Sequence, residues 1–151
     1  AEFDYYEVRQ SEQYFYAERE RVREVNENNN NFAKPDFFQA IEWQQKAYEK
    51  ANFPDHLPQL WKLRFASFSG GIERRIALAN LVTDLDQFIA GGHQTRHTAS
   101  AEYWKVVVLY ELEGKDRAQA HFDRCNRTLS RSAAGKLRSM LRGQAFDDSS
   151  F

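Results

Sequence analysis

The sequence predicts an all-α protein of about seven helices, and three observations carry that reading. Tyr103, Val106, Val107 and Tyr110 recur at helical spacing, Gly114 interrupts, and Ala118, Phe122 and Cys125 resume the stripe. The chain is 42% apolar with only seven glycines and three prolines in 151 residues, which favours packed helices over a many-turned or disordered protein. Val106-Val107-Val108-Leu109-Tyr110 would also suit a buried strand, but Trp104 and Glu111 to Glu113 continue a helical pattern. No second strand candidate exists to pair with it.

Taken in order, Tyr5 to Asn26 reads as a long amphipathic helix, with Val8, Phe15, Val22 and Val25 in a broken apolar stripe. Asn26 to Asn31 is expected to end it as a loop, since asparagine tolerates left-handed backbone. Pro35 sits near the first turn of a second helix, whose apolar face holds Phe37, Phe38, Ile41 and Trp43 and runs to about Ala51. Pro54 and Pro58 then break the chain. Leu57 to Phe68 forms a shorter helix, Ser69-Gly70-Gly71 turns, and Ile72 to Ala90 is long again until Gly91-Gly92 stops it. Ser100 is the expected N-cap of the Tyr103 helix, and Lys115 to Leu129 is its partner. Ser130 or Ser132 starts a last short helix ending at Gly143, and residues 144–151 read as a frayed tail.

The stripe from Tyr103 to Cys125, with the small Ala118 where two backbones would meet, resembles one repeat of the tetratricopeptide and pentatricopeptide class. Its turn, Lys115-Asp116-Arg117, is about one residue shorter than the tetratricopeptide pattern. Trp61, Phe65 and Phe68, then Ala77 and Leu81, fall at similar offsets in a second pair. The resemblance implies three antiparallel hairpins plus a terminal helix, an irregular array that serves as a scaffold for binding. Pairs beginning near Tyr5, Leu57 and Tyr103 are 52 and 46 residues apart, where a regular array repeats every ~34. An irregular helical bundle is the alternative.

At this length one domain, residues 1–151, is expected to bury its own core. One cysteine, Cys125, cannot make an internal disulfide, and its place on the stripe suits packing. The longest apolar run, Val106 to Tyr110, is five residues, far short of the ~18 that span a bilayer. The opening Ala-Glu-Phe-Asp lacks a methionine and reads as either a processed or a trimmed start. Charge is uneven: residues 1–60 hold twelve acids against seven bases, and residues 115–151 hold four against eight.

Chemistry is sparse in the pattern. His93 and His97 have the spacing of a zinc-binding helix pair, but Gln94 stands where a glutamate base would be needed. Ser69-Gly70-Gly71 before Arg74 and Arg75 reads as a helix cap rather than a phosphate loop. His121 and Cys125 could pair as base and nucleophile on one helix face, yet nothing in the sequence orients the histidine. Asn126-Arg127-Thr128 matches a glycosylation acceptor by chance. No catalytic residue, metal or cofactor is therefore expected.

The expected function is protein–protein binding by a non-catalytic subunit of a larger assembly, with Arg124, Arg127 and Arg131 as partner-binding residues. The three hairpins and the 17.7 kDa mass are similar to the pentatricopeptide-like accessory subunits on the catalytic head of euglenozoan mitochondrial ATP synthase. That resemblance implies the mitochondrial matrix, no catalysis, and the ATP synthase α subunit as partner. The alternatives are a bacterial immunity protein that neutralises a toxin in the cytoplasm and an RNA-binding helical repeat.

Overall fold

The computed structural model describes residues 2–29, 33–51, 54–67 and 70–144, and among these every regular element is helical. Seven α-helices follow one another: α1 (Glu2–Asn29), α2 (Phe38–Ala51), α3 (Leu57–Ala66), α4 (Gly71–Ala90), α5 (Thr95–Glu113), α6 (Lys115–Cys125) and α7 (Arg131–Leu141). Two short 3₁₀ turns, Pro54–His56 and Asn126–Thr128, precede α3 and follow α6. The chain divides into two compact units, Ala1–Arg74 and Arg75–Phe151.

In the first unit α1 lies against α2, and α2 in turn against α3. Phe15, Phe37, Ala40 and Leu63 make its buried cluster, with Ile41 and Ala66 packed on it. Polar groups do much of the fastening. Buried Ser11 donates its hydroxyl to the Ala40 carbonyl at 2.8 Å, and Lys50 reaches Glu7 at 3.0 Å. Arg74 donates to the carbonyls of Phe65 and Ser67, covering acceptors that the end of α3 leaves open.

Two boundaries differ from the sequence reading here. Helix α1 continues through the asparagines to Asn29, held on its wet side by ion pairs of Arg23 with Glu20 and Glu27. Asn26 uses its side-chain oxygen to accept from the Ala33 amide at 2.6 Å, so it fastens the connection instead of ending the helix. Helix α2 starts at Phe38, three residues beyond Pro35, because the Asp36 carboxylate accepts from the Phe38 amide. That shift buries Phe37 and leaves Phe38 exposed.

In the second unit α5 is the central helix. Ala101, Tyr103, Trp104 and Val106 to Leu109 are all buried, which resolves the strand-like valine run as a helix enclosed on most sides. Helices α6 and α7 pack on it, and Lys105 pairs with Asp86 of α4 at 2.6 Å. Helix α5 begins at Thr95, so Ser100 is no N-cap; its hydroxyl donates to the Arg96 carbonyl inside the helix. The turn between α5 and α6 is tighter than the sequence suggests, since Lys115 is already helical and Gly114 alone joins the two. Gly114 has φ 101° and ψ 176°, a region open essentially to glycine only. Its N–H bonds back to Leu109 and its carbonyl accepts from Ala118. Ser130 caps α7 by accepting from the Ala133 amide, as the sequence predicts.

Phe68 and Ser69 lie outside the described residues, as does the tail from 145, so those expectations go no further. Ala77, offered as a second small contact residue, is exposed, and neighbouring Leu78 is buried instead. No helix is long and apolar enough to cross a membrane among the described residues.

Candidate functional site

Arg124, Arg127 and Arg131 fall on consecutive elements: the last turn of α6, the 3₁₀ turn and the first turn of α7. All three are exposed, and none makes a hydrogen bond or ion pair among the described residues. Arg124 sits at a helix C-terminus, where a cation complements the backbone dipole. Arg131 sits at a helix N-terminus, the unfavourable end for a cation, so helix stability does not account for it. Arg138, also on α7, stacks its guanidinium over the Phe122 ring at 5.6 Å and is spent on packing. The Asn126-Arg127-Thr128 triplet is the 3₁₀ turn itself, with the Thr128 hydroxyl donating to the Cys125 carbonyl.

Beneath this surface the hairpin brings together a group that the sequence only half revealed. His121 and Cys125 are one turn apart on α6, and Glu102 meets them from α5. The Glu102 carboxylate pairs with Nε2 of His121, supplying the orienting partner that the sequence did not disclose. One ligand-type atom from each of the three residues lies within 4.8 Å of the other two. His121 is 7% exposed and its Nδ1 is buried with no hydrogen-bond partner. Burial pushes the Cys125 thiol up to about 11, and the nearby Glu102 charge adds to the effect. A cysteine, a histidine and a carboxylate are the parts of a nucleophilic triad, but a buried thiol that holds its proton is a poor nucleophile.

The signal for Glu102 was present in the sequence in one respect. It stands four residues before Val106, on the buried stripe, and a carboxylate there needs a partner. Which partner depends on the register between α5 and α6, and spacing along one helix does not contain that.

The other sequence candidates stay apart. The His93 ring lies flat on Phe88, with centroids 3.8 Å apart, while His97 occupies the first turn of α5. An open groove between α2 and α3 is lined by Ile41 and Leu60 among charged Glu42, Lys46, Glu49 and Arg64. Among the described residues its lining holds no histidine, cysteine or serine.

Comparison with protein-family models, curated proteins and solved structures returns no match for this chain.

Proposed function

We propose that this protein is a non-catalytic docking subunit that binds an acidic surface of a larger assembly through Arg124, Arg127 and Arg131. One observation carries the reading: three exposed guanidinium groups on consecutive elements have no partner among the described residues. Exposed arginine suits an interface because its planar fork pairs with carboxylates and its stem packs on apolar surface. Through the tetratricopeptide-like and pentatricopeptide-like pattern of α5 and α6, the reading extends to an accessory subunit of a mitochondrial ATP synthase. Its partner there is the α subunit of the catalytic head, in the matrix.

The test is binding of the purified chain to a purified catalytic head, with the three arginines replaced together by serine. Helicity should be unchanged while Kd rises more than ~10-fold, about 1.4 kcal/mol. Binding should also weaken as salt is raised, since exposed ion pairs are screened. Equal binding by the triple variant would move the contact elsewhere, and no binding by the parent would remove the ATP synthase assignment.

A further inference from the structure

We propose that Glu102, His121 and Cys125 form a binding site for one zinc ion within the α5–α6 hairpin. The donor set is a carboxylate oxygen, an imidazole nitrogen and a thiol sulfur, all types that zinc accepts. Two of the donors share a face of α6 at a spacing of four residues, and the third comes from α5. A single glycine joins these helices, so the group stands on rigid elements rather than on a loop. Its three ligand-type atoms are already gathered within 4.8 Å.

Charge favours an ion of two positive charges. A thiolate and a carboxylate balance it, with neutral imidazole as the third ligand, so the buried unit carries no net charge. The positive groups felt at the thiol are Arg124 and Lys105, and Lys105 is neutralised by Asp86. His121 pairs with Glu102 through Nε2, while its Nδ1 is buried without a hydrogen-bond partner. Buried polar atoms without partners are few in native proteins, and this one belongs to a metal-binding side chain in the middle of the cluster's helix. Binding breaks the Cys125 S–H bond, forms the S–Zn bond and releases the proton to solvent. Three protein ligands leave one of the four tetrahedral positions for water. Glu102, with its side chain 15% exposed, is the edge at which water reaches the group.

The full chain, reduced and metal-free, can be titrated with cobalt(II) as an optical probe for the zinc position. The expected result is a sulfur-to-cobalt charge-transfer band that saturates at about one equivalent and is abolished by added zinc. Cys125→Ser should eliminate the band, and Glu102→Gln should weaken zinc binding at least ~10-fold. Replacing His93 and His97 together by alanine should leave both unchanged, and circular dichroism checks that each variant is folded. Absence of the band in the parent chain overturns the proposal whatever the variants do. So does a band that survives Cys125→Ser.

Discussion

Helices α1 and α2 make one close pair and α5 and α6 another, and the two are fastened by different physics. The first pair joins a 28-residue helix to a shorter one through a buried serine, a lysine–glutamate bridge and a small cluster of phenylalanines. Its outer surface carries exposed Tyr6, Tyr14, Tyr16 and Phe38. The second pair buries four consecutive residues, Val106 to Leu109, in α5, and Ala118 and Phe122 in α6. The contrast teaches that aromatic content alone does not mark a core. The first pair is richer in rings, yet several of them face outward.

The largest expected effect probes the apolar seam. Phe122→Ala should cost about 3–5 kcal/mol in a urea melt, the range for emptying a buried aromatic site. By comparison, Ser11→Ala should cost only ~0.5–1.5 kcal/mol, the net value of one hydrogen bond. Reversal of that order would mean that the polar fastening of α1 to α2 matters more than the seam.

Gly114→Ala should cost about 1–3 kcal/mol, although an added Cβ would meet nothing within 4 Å. The penalty comes from the backbone angle alone, and an unchanged melting curve would show that the turn can rearrange. Ala118→Leu should likewise lose ~1–3 kcal/mol by overpacking. Exposed Ala77→Leu should stay within ~0.5 kcal/mol. Equal tolerance of leucine at both positions would remove the close contact from the α5–α6 description.

The smallest effects are those of pH, and they run in opposite directions. Bonding to Lys50 holds the Glu7 carboxyl below its ordinary range, and bonding to Arg21 does the same for Glu18, aided by the Asp36 amide. A folded-state pKa lowered in this way adds stability above the unfolded value of 4.5, which is lost as pH falls. The Cys125 thiol is raised, so its contribution is lost as pH climbs from 9.0 towards about 11. Segment-resolved hydrogen exchange, corrected for intrinsic rates, should show α1 and α2 loosening first in acid. Alkali should first loosen α6, and uniform loosening at both extremes would erase the distinction.

The parts that were legible in the sequence are those set by period along a single helix. Tyr103, Val106, Val107, Ala118, Phe122 and Cys125 are buried as their spacing demands. Starts and stops were less legible where two signals competed. Ser100 has the chemistry of a cap, but α5 begins five residues earlier without any side-chain cap. Of two adjacent phenylalanines, the buried one was decided by the Asp36 cap, which fixes where α2 begins. The exposure of Arg124, Arg127 and Arg131 agrees with their position off the stripe. The meeting of Glu102 with His121 needed the register of two helices, information that arises only once they have packed.

Gly114 has a consequence in time as well as in space. A one-residue connection sets the smallest loop-closure entropy that two antiparallel helices can have. Helix formation itself takes about 0.1–1 μs, so α5 and α6 can meet almost as soon as each exists. Their seam is therefore the natural nucleus of the second unit. The α1–α2 pair must first close a longer connection, 30–37, and should condense later. Refolding would then bring Glu102, His121 and Cys125 together among its earliest contacts.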